Sequence, residues 1–132
     1  MTIEEIKESL VKAGWFPETL EIAIEAGFKC QYCGLDFYAS VNDYDSMEVE
    51  HIIPRDPGSD ELSNKTLSCR TCNKLKRRWD PSRDQPAETD RRALISRATE
   101  HVKKLRAQKE VRVAKEKALV DQLLSAMKEG SE

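Results

Sequence analysis

Cys30-Gln31-Tyr32-Cys33, Glu50-His51-Ile52-Ile53-Pro54 and Cys69-Arg70-Thr71-Cys72-Asn73-Lys74-Leu75-Lys76 are the stretches whose reading decides the fold. Two C-x-x-C pairs bracket a histidine with an acidic neighbour, and they hold the only cysteines of the chain. A C-x-x-C turn can set two sulfurs on one ion, so two such turns supply the four thiolates of a tetrahedral Zn²⁺ site. Closing the residues between the pairs, 34–68, onto a metal restrains most of a small core. Two disulfides, or thiols that bind nothing, are the competing readings. Residues 1–29 begin acidic and contain no apolar run, so no secretory leader is expected. A reducing, cytoplasmic location then disfavours disulfides.

Working outward, 132 residues leave room for one modest core with appendages. Charged residues make up 35% of the chain, and no apolar stretch is long enough to span a membrane. A net charge of -2 argues against strong global attraction to nucleic acid. The balance is uneven: residues 1–29 and 30–80 are net acidic, whereas 81–132 carry twelve basic and nine acidic side chains. A local basic face can therefore still hold a phosphate backbone.

Residues 1–29 read as a helical hairpin. Thr2 caps a helix over 3–13 whose stripe is Ile3, Ile6, Leu10 and Val11, and Gly14 ends it. Trp15 and Phe16 are expected to anchor on the core. Pro17 opens a second helix to residue 26 with Leu20, Ala23 and Ile24 inward, and Gly27 stops it. Residues 30–80 form the core unit. A metal-binding knuckle at 30–34 is expected to be covered by Leu35, Phe37 and Tyr38. Asn42–Ser46 reads as a polar turn. A strand over 47–53 follows, in which His51 shares the parity of Val49 while Glu50 faces the other way. The loop 55–63 carries a Pro57-Gly58 turn signal, 66–68 returns as a short strand, and 70–79 is helical. After a polar linker (81–86), residues 87–132 are mostly helical in propensity. Leu94, Ala98, Val102 and Leu105 form one stripe, which continues irregularly to Met127. This segment is expected to dock on the core or to form a homodimer or larger assembly.

The two cysteine pairs, Glu50-His51-Ile52-Ile53-Pro54, Gly58, Asn64, Leu67 and Cys72-Asn73-x-x-Lys76 together resemble the HNH nuclease family, in its four-cysteine branch. The resemblance covers about residues 30–76. It implies an α+β fold with a ββα-metal core and a zinc knuckle, flanked here by the helical hairpin and the long helical segment. It also implies a metal-dependent endonuclease that hydrolyses DNA phosphodiester bonds, leaving a 5′-phosphate and a 3′-hydroxyl. His51 is then the general base, a role suited to an imidazole near neutral pH. Glu50 and Asn73 are the ligands of one catalytic Mg²⁺ or Mn²⁺. Asn64 holds the loop and orients His51. Cys30, Cys33, Cys69 and Cys72 hold a structural Zn²⁺ that, with four thiolates, has no open position. Lys74, Lys76, Arg77 and Arg78 are expected to contact the substrate backbone, with the local carboxylates as the other partner open to Lys76. Glu50 stands where aspartate is commoner, and Asn73 where many relatives have histidine. Both changes bear on metal preference more than on activity.

Two other functions fit the residues alone. One is a non-catalytic zinc module that binds nucleic acid or protein through residues 74–78. The other is an RNA-directed nuclease, against which stands the absence of an aromatic platform pattern for single strands. Duplex DNA is the partner that the resemblance implies.

Overall fold

In a computed structural model, which describes residues 1–55 and 58–130, the chain forms α1 (Ile3–Lys12), α2 (Pro17–Ala26), α3 (Val41–Asp45), β1 (Met47–His51), β2 (Lys65–Cys69), α4 (Arg70–Lys76) and α5 (Arg91–Gly130). A single 3-10 turn, Leu62–Asn64, leads into β2. The fold is α+β. Strands β1 and β2 pair antiparallel from Met47↔Cys69 to His51↔Lys65, and α4 follows β2 directly, giving a ββα core. Among the described residues, no helix is long and apolar enough to cross a membrane.

Local chemistry explains most of the boundaries. Thr2 accepts from the Glu5 amide at 3.1 Å and starts α1. Pro17 opens α2, and Gly27, at φ +69°, closes it in the left-handed region that glycine enters without steric cost. The Cys69 side chain accepts from the Cys72 amide and so caps α4. Helix α4 ends at Lys76 rather than at Trp79, because Arg77 takes a positive φ that breaks the helical path. Asp90 starts α5, its backbone carbonyl accepting from the Leu94 amide at 3.0 Å and its side chain from the Arg92 amide at 3.2 Å. The linker is thus longer than expected, and one helix follows it.

The core is built from α2, the knuckle, β2, α4 and the first half of α5. Ile22, Ala23, Phe37, Leu67, Ala98 and Val102 are buried together with Cys30, Cys69 and Cys72. Leu94, Ala98 and Val102 are the expected inward stripe of α5. From Glu110 to Gly130 every residue of that helix is exposed. The helix therefore docks with its first half and projects with its second.

Several expectations are corrected. Asn42–Ser46 is not a plain turn. Ser40 accepts from the Asp43 amide at 3.0 Å and caps the one-turn helix α3. Trp15 does anchor, edge-on to Phe28, but Phe16 is 76% exposed. In α2 the inward set is Leu20, Ile22 and Ala23, and Ile24 is exposed, because the hairpin turns α2 by part of a helical step. Tyr38 is exposed and meets Phe28 at a tilt and Tyr44 edge-on at the surface. The apolar stripe of α1 is largely exposed, with no buried residue in that helix. β1 stops at His51, since Ile53 is taken up by the Asn64 side chain instead of a strand partner. Of the Pro57-Gly58 turn, Pro57 lies outside the described residues, as do Ser131 and Glu132.

Candidate functional site

The hairpin carries a different chemistry at each of its ends. At one end, Cys69 closes β2 and Cys72 lies one turn into α4. Cys30 and Cys33 come from the knuckle before it, which is held by amide bonds from Cys30 to Leu35 and from Gly34 to Cys30, both 2.9 Å. The Gln31 amide reaches the Leu67 carbonyl at 2.9 Å and locks the knuckle onto β2. All four sulfurs lie within 4.8 Å of one another. Sulfurs on a tetrahedral zinc with bonds of about 2.3 Å sit roughly 3.8 Å apart, and Cys33 and Cys69 are 3.8 Å apart here. Hydrogen bonds from Cys69 and then Cys72 hold the Cys30 thiol down, at about 3, and the contact with Cys30 pushes the Cys72 thiol up. Four thiolates this close repel strongly unless a cation lies between them, so the donor set fits a structural metal, and zinc best.

Sequence reasoning missed one partner of these sulfurs. Arg106, on α5, donates to Cys72 Sγ at 3.1 Å and approaches Cys69 Sγ at 3.9 Å. Contact with the Cys72 sulfur raises the guanidinium above its ordinary value. A cation here offsets the negative charge of a four-thiolate centre. No local spacing signals it, because 34 residues separate Arg106 from Cys72.

At the other end of the hairpin, four strand steps or about 13 Å away, lies a cavity of about 380 Å³. Glu50, His51, Arg55, Asn73, Arg77 and Arg78 all line it. Here β1 inverts the usual rule: Glu50 is the buried member of the strand, and Val49 is exposed. Burial pushes the Glu50 carboxyl up, and Lys76 and Tyr32 work against that shift. Lys76 Nζ meets Glu50 Oε1 at 2.6 Å, and Tyr32 donates its hydroxyl to Oε2 at 2.5 Å. The same burial, together with the Glu50 charge, pushes the Tyr32 hydroxyl far up, so it remains a donor. Lys76 also donates to the His51 carbonyl at 3.1 Å, tying the end of β1 to α4. Its side chain is fully buried, so of its two expected partners the carboxylate is the one met. It does not reach the surface where a substrate would lie.

His51 itself is half-buried, and its Nε2 lies 2.8 Å from Asp60 Oδ1. A carboxylate only accepts, so Nε2 carries a proton toward Asp60, and in the neutral imidazole Nδ1 is then the nitrogen with the free lone pair. The contact with His51 is the main cause holding Asp60 below the ordinary carboxylate value, with Lys65 adding to it. Asp60 was missed by sequence reasoning, and its place in the loop between the strands was the only hint. Asn64 is buried and clasps that loop. Its amide exchanges two 2.9 Å bonds with the Ile53 backbone and donates to Ser59 at 2.8 Å. Asn64 thus bonds to the loop and the end of β1, whereas the side chain that meets the imidazole is Asp60. Gly58 belongs to the same clasp. A Cβ there would stand 2.5 Å from the Pro54 carbonyl oxygen and 2.9 Å from the Asn64 amide, so only glycine fits.

Asn73, from α4, gives its Nδ2 to Glu48 Oε1 at 3.0 Å, which leaves Oδ1 uncommitted. Arg70 holds the other Glu48 oxygen at 3.6 Å. Lys74 is exposed and belongs to a neighbouring groove rather than to this cavity. Among the described residues, the four cysteines are the only group of three or more His, Cys, Asp or Glu side chains close enough to share an ion. A metal at the histidine end would therefore take few protein donors and fill its remaining positions with water and phosphate, as Mg²⁺ commonly does.

Comparison with known proteins agrees with this geometry. Residues 30–78 match the family model described as HNH endonuclease. No curated protein matches the chain, and no solved structure does.

Proposed function

Since residues 30–78 match the HNH endonuclease family model, we propose that this protein is an endonuclease that hydrolyses phosphodiester bonds of DNA in a divalent-ion-dependent reaction. The observation that carries the reading is the single cavity lined by His51, Asn73 and the guanidinium groups of Arg55, Arg77 and Arg78. The arginines hold the phosphates on either side of the bond to be cut. Asp60 keeps the proton on Nε2 of His51, so Nδ1 takes the proton from the attacking water. Lys76 and the Asn64 clasp hold the histidine backbone in place. Glu50 and Asn73 Oδ1 are the groups that would hold Mg²⁺ or Mn²⁺, which when bound neutralises charge on the phosphoryl and leaving oxygens. Duplex substrate, the choice of ion and assembly through the exposed second half of α5 are the finer parts of this proposal.

The test is nicking of supercoiled plasmid by the zinc-loaded chain, with Mg²⁺, Mn²⁺ or no added ion. His51→Ala should lower cleavage by about 10²- to 10⁴-fold while leaving the zinc content unchanged. Equal cleavage by both proteins overturns the assignment of the base. One observation favours a second reading, a zinc module that binds nucleic acid without cutting it: both Glu50 oxygens are already engaged, by Lys76 and Tyr32. Retained DNA binding with no cleavage in either ion would establish that reading instead.

A further inference from the structure

Many cations of this chain have a carboxylate partner. Lys7 meets Glu21 at 3.2 Å, Lys65 meets Glu18 at 3.0 Å, Arg91 meets Glu25 at 2.9 Å, and Lys117 meets Asp121 at 2.8 Å. A groove between α4 and α5 is different. It has a volume of about 350 Å³ and is lined by Lys74 from α4, by Arg77 directly after it, and by Gln108, Lys109 and Arg112 from α5, together with Leu75 and Leu105. No carboxylate lines it. Among the described residues, none of its four cations has an acidic group within ion-pairing distance.

Helix geometry makes the grouping. Lys74 lies in the last turn of α4 and Arg77 directly follows that helix, while Leu105, Lys109 and Arg112 share one face of α5 at steps of four and three. Packing of α5 on α4 then brings that face beside the end of α4, in one groove. Four like charges brought together repel one another, in a chain whose net charge is only -2. Such an arrangement suits an anion, and specifically an extended one, because the groove is open and offers cations from two elements. Leu75 and Leu105 offer no stacking face, and the four cations with Gln108 are the polar groups that the groove presents to a phosphate backbone. It also adjoins the histidine cavity, since Arg77 lines both.

We propose that the α4–α5 groove is a phosphate-binding track that takes the backbone of a duplex DNA substrate beyond the bond being cut, with Lys109 and Arg112 as its outer contacts. The inference rests on reading the adjoining cavity as the nuclease centre. It adds a segment of α5 outside residues 30–78 to the substrate surface.

The experiment uses the full chain with zinc bound and His51→Ala, so that DNA is bound and not consumed. Affinity for a labelled duplex is measured from low to moderate salt without added Mg²⁺. Each phosphate contact contributes about 0.9 to the slope of log affinity against log salt. Lys109→Ala with Arg112→Ala should therefore make the slope shallower by about 1.8 and weaken binding roughly tenfold at the upper end of the salt range. Glu110→Ala, on the neighbouring exposed position, should not make it shallower. An unchanged slope in the double variant overturns the groove, even where the His51 protein cleaves plasmid normally. No measurable duplex binding by the parent overturns it as well. The reverse result, a shallower slope with no cleavage by the His51 protein in any ion, supports the groove and removes the nuclease reading.

Discussion

The two ends of the β1–β2 hairpin solve opposite problems. At the cysteine end the chain supplies every ligand, all within 4.8 Å, and adds Arg106 from a third element to balance charge. Nothing is left for a substrate to bind. At the histidine end the chain supplies few donors around an open cavity of about 380 Å³ and surrounds it with arginines. The buried contact there, Lys76–Glu50–Tyr32, ties the end of the hairpin to α4 and the knuckle. The contrast teaches that one hairpin can be made rigid by saturating one end with internal partners, which frees the other end to remain incomplete until a substrate arrives.

The largest test of that contrast is Cys72→Ser. Structural zinc contributes on the order of 10 kcal/mol to small domains, comparable with the whole stability of a typical one. The variant should bind less than one zinc per chain and lose its cooperative thermal transition. A full zinc complement with an unchanged transition would mean that the cysteine end is not what holds the hairpin.

Lys76→Met addresses the core side of the histidine end. Removing one partner of a fully buried pair leaves Glu50 charged and unmatched, which costs about 3–5 kcal/mol. Chemical denaturation should show a loss of that size with zinc retained. Lys76→Met together with Glu50→Gln should recover much of it. Destabilisation below about 1 kcal/mol would show that the pair is open to solvent, as surface pairs are.

Arg106→Leu tests whether α5 completes the metal end. Loss of an outer partner of metal ligands typically lowers affinity about 10- to 100-fold. Competition with a chelator reads this directly. Unchanged zinc affinity would return α5 to a purely packing role.

The smallest effect concerns pH. His101 stacks on Trp79 at 4.1 Å, and burial holds its imidazole below the ordinary value, helped by Arg83, Lys76 and Lys104. With the folded value below an unfolded one of about 6.5, the unfolded chain binds more protons in that interval. The stability from neutral His101 is thus full above about pH 6.5 and lost as pH falls through the folded value. His101→Phe keeps the stack and should flatten the fall in melting temperature between about pH 7.5 and 5.5. Comparing variant with parent cancels thiolate protonation at the cysteines. Identical slopes would show that His101 makes no contribution to the acid sensitivity.

How much of this was legible varies residue by residue. Cys30, Cys33, Cys69 and Cys72 were readable because a C-x-x-C turn places two sulfurs within a few residues, whatever the rest of the chain does. The hairpin, α4 and the inward stripe of α5 followed from alternation, caps and helical spacing. Phe16 and Ile24 were misread because hydrophobicity gives a face, but the angle between α1 and α2 decides which part of that face is covered. Asn42–Ser46 was misread because one turn of helix has the same polar composition as a loop.

By itself, then, the sequence determined the four-sulfur cluster, the ββα order and the position of His51 next to Glu50, since each depends on contacts between near neighbours or on one repeated spacing. Tertiary structure alone decided that Glu50 faces Lys76 and Tyr32, that Asp60 meets His51, that Arg106 meets Cys72, and that Lys109 and Arg112 join Lys74 and Arg77 around one groove. These are meetings of side chains from different elements. They depend on the register of β1 against β2 and on how α5 lies across α4, and packing of the whole core sets both at once.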